Sequence, residues 1–172
     1  MCSSDLTEGG SIDNESGGRI TGGNGGTGGS GEIAEGGGMN GADGAGGAGI
    51  VGTGNDMVIT GGAIVGGLSG DGTTRADAID FSGGGNTLVL EQGNSFTGNV
   101  VSTSGSTNGG DTLALGGATG GTFNLSQASD VSGEFLEFAN FEKIGSGTWV
   151  ADGAASFTNT TVEAGTDRRA HV

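Results

Sequence analysis

Hydrophobic residues in this chain recur in short alternating groups, and two of these groups are nearly identical. Thr87–Leu90 reads Thr-Leu-Val-Leu, and Thr112–Leu115 reads Thr-Leu-Ala-Leu, 25 residues further on. In both groups leucine alternates with a small or β-branched residue, as on a strand that buries one face. A unit that recurs at such a spacing is typical of a solenoid. The pattern predicts adjacent layers in which Leu88 and Leu113, and likewise Leu90 and Leu115, point inward and stack in register.

Most of the chain after residue 50 repeats this rhythm. The candidate strands are residues 56–60, 63–65, 78–81, 87–90, 96–101, 112–115, 122–125, 135–138, 141–144, 148–150, 156–158 and 161–164. Between them lie Gly-Gly, Gly-Asp-Gly and Gly-Asn corners, whose residues tolerate the positive φ that sharp turns require. No segment shows helical periodicity of useful length. The sequence therefore predicts an all-β fold built from stacked short strands.

Composition divides the chain into unequal parts. Of 172 residues, 44 are glycine, none is proline and 31% are hydrophobic, which does not suit a layered globular core. Residues 7–21 form a weak first rung, and residues 50–166 carry the regular strand clusters. Residues 22–49 are a glycine-rich insertion, predicted to be too poor in side chains to pack and therefore a bulging loop or a disordered segment. Ile-Thr-Gly-Gly occurs at residues 20–23 and again at 59–62, which predicts two turns of one coil separated by the insertion.

The two ends of the chain look foreign to the rest. Residues 1–6 and 167–172 match translations of the two strands of a common sequencing adapter, so both are expected to be artefacts flanking an internal fragment. Cys2 and His171, the only cysteine and the only histidine, lie in these hexapeptides. Without them the chain has no cysteine nucleophile, no imidazole base and no disulfide.

Charge excludes several classes of partner. The net charge is −15 and the acidic residues are spread along the chain, so the surface repels nucleic acid and anionic lipid. No apolar run approaches the roughly 20 residues of a membrane-spanning helix, and no basic-then-apolar signal peptide opens the chain. We therefore expect neither a nucleic-acid partner nor direct membrane insertion.

One long segment resembles a known family. Residues 138–149 read Phe-Ala-Asn-Phe-Glu-Lys-Ile-Gly-Ser-Gly-Thr-Trp and resemble the Phe-x-x-Phe-Glu-Lys-x-Gly-x-Gly-Thr-Trp segment recurrent in passenger regions of bacterial autotransporters (type V secretion). Residues 161–166, Thr-Val-Glu-Ala-Gly-Thr, are similar to the segment that usually follows it. Residues 64–79 and 85–101 are similar to upstream parts of the same proteins.

The resemblance carries expectations about fold, place and partners. It implies a right-handed parallel β-helix (β-solenoid) on the outer surface of a Gram-negative cell, in the extracellular space. It implies export by the protein's own C-terminal β-barrel translocator, which these residues do not contain. Host-surface or matrix ligands are further candidate partners. The function that follows is a non-enzymatic structural or adhesive segment, acting as a stalk or binding surface.

Two other functions remain alternatives. A secreted calcium-dependent β-roll module is suggested by Asp71, Asp77 and Asp80, which lie beside glycines or on a strand, and by the glycine-flanked run 109–113. Aspartate beside glycine more often forms a corner, and β-rolls repeat every nine residues where this chain repeats at about 25. We therefore assign no metal ligand and no cofactor.

The other alternative is a carbohydrate-active β-helix enzyme. Such enzymes use carboxylates with arginine or lysine, and Arg75 near Asp71 and Asp77 is the only candidate. An aromatic group could also serve as a sugar-stacking platform, although a core stack is the favoured interpretation; it comprises Phe135, Phe138, Phe141 and Trp149. Because sides alternate along a strand, inward pointing of both Phe135 and Phe138 requires a bend near Gly133 or Asn140. No catalytic residue is assigned, and the chain is expected not to be an enzyme.

Overall fold

The structure, a computed structural model, describes residues 4–7, 9–31, 38–129, 132–163 and 166–169. These residues form an all-β chain of short strands with two 3-10 turns, at Thr107–Gly109 and Leu125–Gln127. In chain order the strands are β1 (Ser4–Leu6), β2 (Ser11–Asn14), β3 (Arg19–Thr21), β4 (Ile50–Gly52), β5 (Met57–Thr60), β6 (Ala63–Val65), β7 (Ile79–Phe81), β8 (Thr87–Leu90), β9 (Ser95–Thr97), β10 (Val100–Ser102), β11 (Thr112–Leu115), β12 (Thr122–Asn124), β13 (Ala128–Ser129), β14 (Phe135–Leu136), β15 (Asn140–Lys143), β16 (Thr148–Asp152), β17 (Asn159–Val162) and β18 (Thr166–Arg169).

All pairings between these strands are parallel, and from β1 to β12 the chain visits three strand positions in a fixed order. After β12 the order changes, because β13 and β14 both join the first sheet and β17 follows β16 directly in the second. The first sheet has the order β1-β4-β7-β10-β14-β13, and the second has the order β17-β15-β11-β8-β5-β2. The third position is divided into two sheets, β3-β6-β9 and β12-β16-β18. We call each passage through the three positions a level. The prediction of an all-β chain with stacked parallel strands is confirmed.

The repeated leucine groups lie side by side as predicted. Strand β8 pairs with β11 so that Leu88 faces Leu113 and Leu90 faces Leu115. All four leucines are at most 1% exposed. Because both strands also pair on their other edges, with β5 and β15, they lie inside a ladder and neither could fold as an isolated rung.

The hydrophobic core runs through all levels and changes character along its length. Its early part is aliphatic, with Ile50, Val58, Ile64, Ile79 and Val100 fully buried. Its later part is aromatic, with ring contacts that link Phe81 to Phe138, Phe96 and Phe123 to Phe135, and Phe141 to Phe123 and Phe157.

Two expectations about the strands were wrong. The predicted strand 96–101 is two strands, β9 and β10, because Gly98 adopts a φ of 103° and turns the chain from the third position to the first. The predicted strand 156–158 is not a strand, and strand β17 begins only at Asn159. The two Ile-Thr-Gly-Gly copies lie on successive levels but at different strand positions, since Ile20 pairs with Ile64 in the third position whereas Ile59 pairs with Asp13 in the second. Side-chain pattern sets a strand's buried face but does not say which sheet it joins.

The predicted foreign ends overlap the first and last strands. Strand β1 pairs with β4 and β18 pairs with β16, and these pairings do not report on where the residues came from. Cys2 and His171 lie outside the described residues. The origin of both ends stays a prediction.

Most of the glycine-rich insertion is packed, contrary to the expectation of a loose or disordered loop. Its two described arms, residues 22–31 and 38–49, run side by side, and residues 66–70 form a third arm against both. Backbone N–H groups of each arm donate to backbone carbonyls of another arm. The first arm donates to the third (Gly25 to Leu68), the third to the second (Gly70 to Gly44) and the second to the first (Gly44 to Gly26), each at 2.8 Å. We call these three arms the glycine bundle.

Glycine at every third residue makes this bundle possible. A Cβ added at Gly22, Gly25 or Gly28 would lie about 2 Å from a carbonyl oxygen of the opposite arm, closer than any side chain can approach. A period of three residues with hydrogen bonds only between chains is that of polyproline II, and glycine occupies the crowded axis as in collagen. Beyond the end of the third arm, Asp43 accepts from the Gly28 N–H at 2.7 Å and Asn40 from the Gly31 N–H at 2.9 Å. These two side chains thus take the place of the missing carbonyls.

Candidate binding surfaces

The predicted acidic corner at Asp71 is a self-contained turn. The Asp71 carboxylate accepts hydrogen bonds from the Ser69 hydroxyl and from the N–H and hydroxyl of Thr73. These hydrogen bonds, chiefly that from Ser69, lower the pKa of Asp71 to about 2. Nearby Arg75 donates to the carbonyl of Gly66 at 2.6 Å. Both residues thus stabilise the turn that joins β6 to β7.

Asp77 and Asp80 lie at the start of β7 and behave differently from Asp71. Desolvation by burial raises the pKa of both carboxyls, and the charge of Asp80 raises that of Asp77 further. Among the residues that the structure describes, no group of three or more histidine, cysteine, aspartate or glutamate side chains could hold a metal ion.

A row of buried polar residues was not identified from the sequence as a unit. Asp56, Asn86 and Asp111 each directly precede a strand of the second sheet, and each is at most 1% exposed. Asn86 accepts from the Asp56 N–H, and Asp111 accepts from both the backbone N–H and the side-chain amide of Asn86. We call these three residues the polar ladder. The signal that would have revealed it is the recurrence of Asp or Asn immediately before three successive strands.

Each end of the polar ladder is satisfied by further donors. Asp56 accepts from the N–H groups of Gly10 and Thr53, both at 2.8 Å. Asp111 accepts from the hydroxyls of Ser102 at 2.8 Å and Ser104 at 2.7 Å. The aspartate of the run 109–113 therefore ties neighbouring levels together, and its oxygens are already occupied by protein donors.

The four aromatic residues considered as a sugar platform are core residues. Phe135, Phe138, Phe141 and Trp149 are between 2% and 5% exposed. Phe135 and Phe138 both point inward because strand β14 ends at Leu136 and Glu137 adopts a φ of 61°. The bend that the alternation rule requires therefore lies at Glu137 rather than at Gly133 or Asn140.

A groove follows the corners between the first and second positions. Its volume is about 770 Å³ and it runs from the corner 105–109 to the segment 156–159. Glu137, Phe138 and Phe157 line it between these ends. The groove has an apolar floor and one carboxylate.

A second cavity lies where the third strand position is interrupted. Strands β9 and β12 are not hydrogen-bonded to each other, and we call the gap between them the seam. A cavity of about 420 Å³ opens there, lined by Gln92, Gly93, Asn94, Gly121, Thr122, Phe123, Asn124, Gln127, Glu134, Phe135 and Trp149. Its rim is polar and its floor aromatic. Burial raises the pKa of the Glu134 carboxyl at its edge.

No described helix is long and apolar enough to cross a membrane. A comparison of the chain with known protein families, with curated proteins and with solved structures finds no match.

Proposed function

We propose that this chain is a right-handed parallel β-helix that serves as a non-enzymatic structural or adhesive segment of a surface-exposed autotransporter passenger. In this role it holds or forms a binding surface outside a Gram-negative cell. The observation that carries the proposal is the cyclic order of the three strand positions from β1 to β12, combined with like residues stacked in register. Leu88 against Leu113 is the clearest instance.

The topology supports a coil. Parallel strands that follow one another through three positions need a crossover at each corner, and such crossovers are almost always right-handed in proteins. Each level pairs with the level on either side, so stability accumulates along the stack. The buried polar ladder adds hydrogen bonds between levels at Asp56, Asn86 and Asp111.

The surface chemistry supports an extracellular role. A chain with a net charge of −15 stays soluble and does not bind anionic polymers. The segment Phe138–Trp149, which resembles the autotransporter pattern, is buried at both ends, with Phe138 5% and Trp149 3% exposed. The resemblance therefore concerns core residues that shape the end of a stack.

A surface-display experiment tests the secretion route. The chain is placed between an export signal and an autotransporter translocator domain in a Gram-negative host, and intact cells are probed with antibody and protease. We expect display of a protease-resistant passenger. The variant Leu113→Asp, which buries a charge in the core, should reach the surface but be degraded. Retention inside the cell, when an established passenger on the same translocator is displayed, would refute the proposal.

A calcium titration distinguishes the proposed β-helix from a calcium-dependent β-roll. Circular dichroism and thermal melting of the purified chain should be the same with 5 mM EDTA and with about 5 mM Ca²⁺, because the Asp111 carboxylate is occupied by protein donors. A gain of β-structure on adding calcium would favour the β-roll. Cleavage of acidic polysaccharides that is lost in Arg75→Ala would favour the enzyme.

A further inference from the structure

The seam differs from every other contact between consecutive levels at the third position. Strands β3, β6 and β9 pair in sequence, and so do β12, β16 and β18, whereas β9 and β12 do not pair. The ring of Phe135 lies at this gap, with its centroid 5.5 Å from those of both Phe96 and Phe123. Each of the two strands therefore has an edge without a strand partner at the cavity of about 420 Å³.

The cavity has the size and the lining of a small-molecule site. Its volume falls in the range of roughly 300–1,000 Å³ that such sites occupy. Its floor is formed by Phe123, Phe135 and Trp149, each less than 10% exposed, which leaves little of each ring for a ligand to contact. A ligand in this cavity would therefore hydrogen-bond mainly to the rim and make only limited contact with the aromatic floor.

The rim combines hydrogen-bond acceptors with groups that both donate and accept. Glu134 supplies a carboxylate. Among the described residues, this carboxylate and the side chains of Gln92 and Gln127 make no hydrogen bond to protein. Asn94 uses its amide nitrogen on the carbonyl of Glu91 at 2.6 Å, and Asn124 uses its oxygen on the N–H of Ser126 at 3.0 Å. One polar atom of each asparagine thus remains for a ligand.

The charges of the site restrict the ligand. The lining includes no lysine, arginine or histidine, and the chain has a net charge of −15, so anionic ligands are repelled. Hydroxyl groups both donate and accept, which matches a carboxylate beside several carboxamides. We infer that the seam cavity binds a neutral saccharide, with Glu134 and Gln127 as its principal hydrogen-bonding residues. This inference names a ligand class for the binding role proposed above and rests on it.

The test uses the only tryptophan of the chain as a reporter. Because Trp149 lines the cavity, its fluorescence is followed while the full chain is titrated with glucose, galactose, mannose, N-acetylglucosamine and their disaccharides. Saturation-transfer NMR on the same mixtures reports contact directly. We expect saturable binding of at least one neutral sugar, with Kd of about 1 mM, and weaker binding of galacturonate.

Matched variants locate the site. Glu134→Gln and Gln127→Ala should each weaken binding about tenfold without changing the circular dichroism spectrum. Glu137→Gln, the same substitution three residues away in the corner groove, should leave Kd unchanged. The inference is wrong if no sugar in the panel binds, if galacturonate binds at least as tightly, or if Glu137→Gln weakens binding as much as Glu134→Gln. A negative titration would not affect surface display or the calcium result, so the two proposals can fail separately.

Discussion

Asp111 gives the sharpest test of how the levels are held together. Its carboxylate is fully buried and accepts four hydrogen bonds, two from Asn86 at 2.9 Å and one each from Ser102 and Ser104. Truncation in Asp111→Ala removes all four acceptor contacts at once. The Asn86 amide keeps one donor contact, to the carbonyl of Ser82, whereas the Ser104 hydroxyl still accepts from the Gly84 N–H but loses the acceptor for its own proton.

The magnitude follows from the donors left without a partner. The Asn86 N–H and the Ser102 hydroxyl are both 0% exposed at the residue level, and each unsatisfied buried donor costs about 1–3 kcal/mol. We therefore expect Asp111→Ala to lower the free energy of unfolding by about 4 kcal/mol, a large part of the ~5–15 kcal/mol typical of a domain. Asp111→Asn keeps one acceptor oxygen for Asn86 and should cost only about 1 kcal/mol.

Urea unfolding followed by circular dichroism measures both effects. With a slope of about 2 kcal/mol/M, the midpoint of Asp111→Ala should fall by about 2 M at unchanged slope. Asp152→Ala is the control, because among the described residues that exposed carboxylate makes only a local bond to the Gly153 N–H at 2.8 Å, and its midpoint should barely move. A loss below about 1 kcal/mol in Asp111→Ala, or equal losses in the alanine and asparagine variants, would refute the reasoning from unsatisfied donors.

Two further predictions concern the glycine bundle and the carboxylates. Gly25→Ala places a Cβ 2.0 Å from the Gly44 oxygen and should open the bundle, seen as faster hydrogen exchange of the Gly44 amide. A Cβ at Gly26 meets nothing within 4 Å, so Gly26→Ala should leave that exchange unchanged. Equal effects of the two variants would contradict the packing. The pKa of Asp71 is lowered, so Asp71 stabilises the fold above its ordinary pKa of 3.8 and loses this effect as pH falls towards 2. The pKa of Asp77 is raised, so Asp77 contributes most below 3.8 and loses its contribution as pH rises through its raised pKa. In thermal melts across pH 2–7, Asp71→Asn should therefore be less stable than wild type only at the higher pH, and Asp77→Asn should be at least as stable there and lose that advantage in acid; the reverse order would contradict both assignments.

The alternating side chains were enough to predict most of the strands after residue 50 and the buried faces of the leucine groups. Leu88 and Leu113 face each other at 0% exposure because a leucine alternating with small residues has one apolar side, and a parallel ladder places like sides together. The same reasoning required a bend between Phe135 and Phe138, and the structure has one at Glu137. Which corner residue turns depends on packing that the pattern does not contain.

The glycine bundle and the seam could not be predicted in the same way. Residues 22–31 have almost no apolar side chains, so a search for buried faces finds nothing, although glycine at every third position was present in the sequence. The seam depends on the missing hydrogen bonds between β9 and β12 and on a ring from another level, that of Phe135. Contacts between distant segments, rather than local pattern, create both features.

Beyond the third arm, Asn40 and Asp43 replace its carbonyls while the spacing of three residues between glycines continues. This spacing limits how the glycine bundle can change in length during evolution. Because the glycines of the bundle must stay on its axis, the two arms 22–31 and 38–49 can be lengthened or shortened only by whole triplets in both arms. Each added triplet extends the arms by about 9 Å. Insertion of one or two residues would rotate a side chain into a space that admits none. Triplets added to the two arms would not disturb the stacked strands, since the arms join the third strand position at Gly22 and the first at Gly49. A chain built this way can vary its reach in fixed steps while its stack of strands stays the same.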